Sequence, residues 1–167
     1  MLRLNLGCSD AQHPDYLGVD IWTPPWATPE NFKKTDLRKR WPFEDSSVDE
    51  IRAHDIFEHL PVKVHTMNEA HRILKPGGML DLFIPTTEGR GAFQDPTHVS
   101  FWTPNDIWYF SDMWAEWQRF HEAYGVTANF KVYGSVNAPT AQAFIDIAHR
   151  EYGQNVWKLK LKLEAVK

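Results

Sequence analysis

The chain has 167 residues, 43% hydrophobic and 24% charged, with a formal net charge of −4 and one cysteine. That size and balance suit one ordinary globular domain, burying roughly two thirds of its unfolded surface without staples. The negative charge argues against a general nucleic-acid binder, the lone Cys8 excludes an internal disulfide, and no apolar run approaches membrane-spanning length.

Met1 leads straight into strand-like sequence without an apolar signal region, which predicts a cytoplasmic location. Leu2, Leu4 and Leu6 form an apolar run that stops at Gly7, as a buried parallel strand does when it delivers its carboxyl end to a crevice. A second run, Tyr16 to Val19, ends in Asp20, whose carboxylate oxygens can accept hydrogen bonds from a ribose diol. Taken singly, Gly7 is equally a tight turn and Asp20 equally a helix cap. The connection between them contains His13-Pro14-Asp15 and is too short for a comfortable crossover helix. Thr23 to Pro29 is a proline-rich loop that folds down through Trp22 and Trp26. Phe32 to Leu37 is either a short third strand ending at Asp36 or a solvated turn among Lys33, Lys34, Arg38, Lys39 and Arg40.

Ile51 to His54 reads as the next strand, with DIFEHL as its carboxyl-end loop. From Pro61 to Lys75, Leu60, Val64, Met67, Ala70 and Leu74 share a helix face, and Pro76-Gly77-Gly78 ends it. Met79 to Ile84 has the near-continuous apolar character of a central parallel strand, with Asp81 as its anomaly. Thr86 to Asn105 reads as a long loop over the carboxyl edge of the sheet, the start of an aromatic-rich insertion at about 86–125. Phe110, Trp114, Trp117 and Phe120 fall at helical spacing, which predicts a core helix and leaves Phe101, Trp102 and Trp108 to wall a substrate pocket. Asn129 to Val136 predicts a strand, Thr140 to Tyr152 a helix, and the alternation from Trp157 to Ala165 an antiparallel strand with a wet lysine face.

NLGCSD with LGVDI, then RWPFEDSSVDEI, AHDIFEHL and NEAHRILKPGGMLDLFIP, stand in an order and spacing that resemble a small class I S-adenosylmethionine-dependent methyltransferase of the type 11 kind. The resemblance covers roughly Leu2 to Pro85 and thins beyond Thr86. It implies an α/β doubly wound, mostly parallel sheet, trimmed at the N-terminus and closed by an antiparallel C-terminal strand, in a single domain over 1–167. The implied cofactor is S-adenosylmethionine, with Gly7, Cys8 and Ser9 in the first loop, Asp20 and Ile21 after the second strand, Asp36 and Leu37 toward the adenine, and His54, Asp55 and Phe57 beyond the fourth. The family usually carries a second glycine two residues after the first, where this chain has Ser9, whose side chain narrows the approach. Cys8 reads as a small packing residue beneath the loop rather than a nucleophile.

Methyl transfer needs an acceptor aligned with the sulfonium methyl and often a base to take its proton. Two groups fall on loops that should reach the methyl: Glu58-His59, and Asp95-Pro96-Thr97-His98. His59 and His98 are the candidate bases, with Asp95 beside them, although a backbone-bonding or loop-ordering role suits either imidazole as well. Family members that methylate catechol-like phenols hold a divalent metal with acidic and histidine side chains in this region, but no tight ligand spacing is present and no metal is expected. The function read here is methyl transfer to an oxygen or nitrogen of an unidentified small or surface-attached acceptor, with no nucleic-acid or membrane partner. One rival is a methyltransferase-like binding module that has lost its chemistry, motivated by Ser9. A nicotinamide-dependent dehydrogenase stands third, lacking G-x-G-x-x-G.

Overall fold

Why the first two apolar runs end at Gly7 and Asp20 becomes plain in the sheet. A computed structural model describes residues 1–111, 115–133 and 158–167. Its strands are β1 (Arg3–Leu6), β2 (Leu17–Asp20), β3 (Phe32–Lys34), β4 (Val48–His54), β5 (Leu74–Pro85), β6 (Phe130–Tyr133) and β7 (Lys158–Ala165), in the spatial order β3-β2-β1-β4-β5-β7-β6. The first five run parallel, β7 runs antiparallel to β5, and β6 antiparallel to β7. The strand order reverses between β1 and β4, and a doubly wound sheet keeps its ligand crevice outside the carboxyl ends at that point. This is the sheet expected from the sequence. Leu4 and Leu6 pair with Leu17 and Val19 on one side and with Ile51 and Ala53 on the other. Leu4, Leu6, Val19, Ile51 and Ala53 are buried, as strands covered on both faces require. Residues 7–16 join the parallel pair β1–β2 through turns alone.

Helix α1 spans Lys63–Ile73, shorter than the periodicity suggests, because Leu74 is already extended and pairs with Val48 as the start of β5. Arg72 near its end donates to both Glu69 carboxylate oxygens, to Asp45 and to the carbonyls of Trp41 and Phe43. Glu69 in turn accepts from Trp41 N–H at 2.6 Å. This network anchors the WPFED segment and so fixes where Asp36 and Leu37, just before it, can lie.

The stretch after β5 is more ordered than a loop. Thr86 bridges Trp102, α2 occupies Gly91–Gln94 and α3 occupies Pro104–Trp108. A capping box between Thr103 and Asp106, with Pro104 in the first turn, starts α3. Lys63 donates to Asp106 at 2.8 Å and to the Phe101 carbonyl, tying α1 to this segment. Trp102 and Trp108 are buried in the core instead of walling a pocket, Trp102 lying 6.1 Å from Phe57. Phe101 is 42% exposed and stacks on Phe93. Helix α4 spans Ala115–Tyr124 and packs Phe120 near Tyr124. Trp114, the helix expected over Thr140 to Tyr152, Trp157 and the end of the strand expected to Val136 lie outside the described residues. In β7 Leu159, Leu161 and Leu163 are buried while Lys160 and Lys162 are exposed, the predicted alternation.

Candidate functional site

Gly7 leaves β1 with φ of +62°, and a Cβ there would lie 2.7 Å from the Ile56 side chain, so the turn needs glycine. Its N–H donates to the Val19 carbonyl at 2.8 Å. Asp20 then draws two loops together, accepting from Ser9 N–H on Oδ2 and from Trp22 N–H on Oδ1, each at 2.9 Å. Each oxygen keeps one lone pair for a further donor. Cys8 is buried beneath the loop, and burial, with Asp20 adding to it, pushes its thiol up to about 11, which makes it unreactive.

Ser9 sits at φ of +47°, a left-handed conformation that costs a non-glycine residue about 1 kcal/mol. The Asp20 contact uses the Ser9 backbone, so a glycine there preserves it. Ser9→Gly is therefore expected to raise the melting temperature slightly and to change cofactor affinity by less than about tenfold, roughly 1.4 kcal/mol. A larger gain in calorimetric affinity would show that the serine side chain obstructs the loop.

Gly7, Asp20, Ile21, Asp36, Leu37, Ile56, His59 and Leu60 line one cavity of about 190 Å³. Asp36 is gripped by Arg38, whose backbone N–H and Nε donate to Oδ1 and whose Nη2 donates to Oδ2 at 3.0 Å. These hydrogen bonds hold its carboxyl below the usual range and leave one acceptor position on Oδ2. Of the site residues expected after β4, His54, Asp55 and Phe57 do not line the cavity. His54 faces Asp81 at 3.5 Å, Asp55 pairs with Lys158 at 3.0 Å, and Phe57 is buried in the core. Asp55 adopts φ of +51°, and the residues that follow it, Ile56, His59 and Leu60, face the cavity instead.

His59 also belongs to a second grouping. Phe57–His59 form a single 3-10 turn, and the Glu58 carbonyl accepts from Val99 and Ser100 N–H, which stitches the Asp95–Ser100 segment onto it. The His59 and His98 rings meet edge to face at 4.9 Å. His98 Nδ1 donates to the Ala92 carbonyl at 2.9 Å. Thr97 Oγ1 gives its proton to Asp95 Oδ1 at 2.6 Å, so His59 Nδ1 is the donor toward the Thr97 carbonyl and hydroxyl. Both imidazoles, when neutral, thus keep Nε2 as the bare nitrogen. Asp95, held low by Thr97 hydroxyl and amide, lies 3.9 Å from His98 Nε2 through Oδ2. Among the expected groups the structure therefore brings together His59, His98 and Asp95.

Glu58 is the residue that sequence reasoning undervalued. It is 2% exposed, its Oε1 lies 4.0 Å from His98 Nε2, and its Oε2 has no hydrogen-bond partner among the described residues. An acid inside the apolar FEHL turn is the signal that pointed to it. Burial, helped by Asp55 and Asp95, pushes its carboxyl up to about 8. The folded state then holds a proton that the unfolded chain releases near pH 4.5, so stability is full below that and declines as pH rises toward about 8. Glu58→Gln is expected to flatten this decline in melting temperature between those limits. An unchanged slope would show that Glu58 is ionised throughout.

A larger cavity of about 440 Å³ lies among Lys63, Asp106, Tyr109, Phe110, Phe120 and Tyr124. None of the strand-end residues lines it, so it is not the site built at the sheet's switch point.

Residues 5–82, from β1 through most of β5, match the family model for a methyltransferase domain. Over the described residues the chain has the fold of the class I S-adenosylmethionine-dependent methyltransferases. Its fold is theirs: a methyltransferase of Archaeoglobus fulgidus superposes with a TM-score of 0.58 at 13% identity, covering 97% of this chain and 85% of that one. The 1,6-didemethyltoxoflavin-N1-methyltransferase of Burkholderia thailandensis, solved with its substrate and S-adenosylhomocysteine, gives 0.57 at 13% identity, covering 99% and 71%. A Haloferax volcanii methyltransferase in complex with the Trm112 activator gives 0.60 at 16%, covering 99% and 82%. No curated protein sequence matches. No helix among the described residues of this chain is long and apolar enough to cross a membrane.

Proposed function

We propose that the chain holds S-adenosylmethionine in the Gly7–Asp20–Asp36 cavity and transfers its methyl group to an oxygen or nitrogen of a small or surface-attached acceptor presented at the His59–His98 side. The observation that carries this reading is the convergence of the two strand-end acids, the glycine turn and His59 on one cavity. The residues fit an adenosyl group chemically. Asp20 keeps a lone pair on each oxygen for a vicinal diol, while Ile21, Leu37, Ile56 and Leu60 offer apolar surface to a planar base. Asp36 retains one acceptor position for an exocyclic amine.

When bound, the cofactor supplies a methyl group made electrophilic by its sulfonium. The chain's own residues then have the tasks of placing the acceptor and drawing off its proton. Gly7 and Ile56 set the floor of the cavity, and His59 stands both on its wall and in the cluster with His98 and Asp95. The bare Nε2 atoms of His59 and His98 are basic lone pairs on that side, with Asp95 near His98. The buried aromatic ring of Trp102 and the α3 cap stiffen the segment that carries His98. Incubation with methyl-labelled S-adenosylmethionine and a panel of hydroxyl- and amine-bearing acceptors should yield S-adenosylhomocysteine with label on oxygen or nitrogen. Label found on carbon or sulfur alone would overturn the acceptor class.

A further inference from the structure

We infer that Glu58, His59 and His98 form a binding site for a divalent first-row transition cation such as zinc, placed at the acceptor end of the cavity. One ligand atom from each of the three lies within 4.8 Å of the others. What makes the grouping more than a coincidence of polar residues is that both imidazoles have Nδ1 occupied elsewhere while the buried carboxyl beside them has an unpartnered oxygen. The Nδ1 protons of both imidazoles are committed to oxygens outside the cluster, Thr97 for His59 and Ala92 for His98. Such an outer hydrogen bond fixes the tautomer and aims the opposite nitrogen, as in metal-bound histidines. Glu58 brings a carboxylate that is 98% buried and whose Oε2 lacks any hydrogen-bond donor among the described residues. Asp95 adds further negative charge 3.9 Å from His98 Nε2. A buried carboxyl with an unpartnered oxygen beside two imidazoles is costly to leave without a partner, and a cation supplies one.

The donor set selects the ion. Two neutral imidazoles and one carboxylate suit zinc, iron(II), cobalt or nickel better than magnesium or calcium, which prefer all-oxygen shells. A tetrahedral ion with bonds of about 2.1 Å sets its ligands about 3.4 Å apart, so the groups draw in by about 1 Å on binding. Glu58 and His98 are fixed by burial, and His59, on the cavity wall, has the most room to move. Three protein ligands leave at least one coordination position open, as in catalytic rather than structural sites. Because His59 lines the cofactor cavity, that position falls on the acceptor's side, and it favours acceptors offering a hydroxyl or phenolic oxygen. This deepens the proposed transfer and rests on its placement of the acceptor: the lone pairs of His59 and His98 act through the cation rather than directly.

The test uses the full chain, freed of metal by dialysis against a chelator. Cobalt(II), followed by its visible absorption, and zinc, followed by calorimetry, should each bind with one-to-one stoichiometry. The double variant His59→Ala/His98→Ala should lose at least about tenfold in affinity, as should Glu58→Gln, while His65→Ala, outside the cluster, should bind as wild type. Circular dichroism checks that each variant folds. If His98→Ala does not, His59→Ala alone must show the loss. Unchanged affinity in the folded cluster variants, or no one-to-one binding by wild type, overturns the site. Asp20→Ala should keep full metal affinity while losing cofactor, which separates this inference from the cofactor assignment. Turnover that survives chelation undiminished would assign the proton to His59 or His98 directly and overturn the cation's part.

Discussion

Asp20→Ala is expected to weaken binding of S-adenosylhomocysteine by at least tenfold. Two effects act together. The carboxylate's remaining lone pairs are the groups proposed to take the ribose diol, and hydrogen bonds to a charged acceptor are worth about 1.5 to 3 kcal/mol. The same side chain also accepts from Ser9 and Trp22 N–H, so alanine leaves the glycine loop and the segment after β2 without their common anchor. Calorimetry on the folded variant measures the loss, with the melting temperature recorded alongside. Binding as tight as wild type would remove the ribose assignment even if the fold were intact, because no other acid at the end of β2 could replace it.

His98→Ala is expected to lower turnover by about a hundredfold or more while leaving cofactor affinity nearly unchanged. The separation follows from position. His98 lies on the segment after α2, in contact with Glu58, Asp95 and His59, and is absent from the lining of the cofactor cavity. The loss is predicted whether its Nε2 takes the acceptor's proton itself or instead ligates a bound cation. His98 also bonds the Ala92 carbonyl, and a purely structural residue would show the reverse pattern: a lower melting temperature with turnover per folded molecule intact. Steady-state kinetics normalised to folded protein distinguishes the two.

The parts of this account that were legible in the sequence are those where strand patterning and chemistry coincide. An apolar run must end where its strand meets solvent, so Gly7 and Asp20 mark the edge of the sheet without any knowledge of the fold. The alternating leucines of β7 likewise declared an antiparallel strand with one wet face. Side-chain direction at the ends of strands was not legible. His54, Asp55 and Phe57 are adjacent to the cavity in sequence but do not line it: His54 still belongs to β4 and faces Asp81, and after the positive φ of Asp55 the lining passes to Ile56 and His59. Trp102 was expected on a pocket wall, but its place in the core follows from the Thr86–Trp102 bridge and the Lys63 tie, contacts between distant segments that periodicity does not encode. The meeting of Glu58 with His98 is of the same kind, since it depends on Val99 and Ser100 docking on the Glu58 carbonyl.

The central claim is that the cavity at the ends of β1, β2 and β4 is an S-adenosylmethionine site, and its most direct test is a calorimetric titration of the wild-type chain with S-adenosylhomocysteine. One equivalent should bind with a dissociation constant in the micromolar range, and a nicotinamide dinucleotide should give no heat of binding. Dinucleotide binding at one equivalent, or no response to S-adenosylhomocysteine from folded protein, would contradict the account.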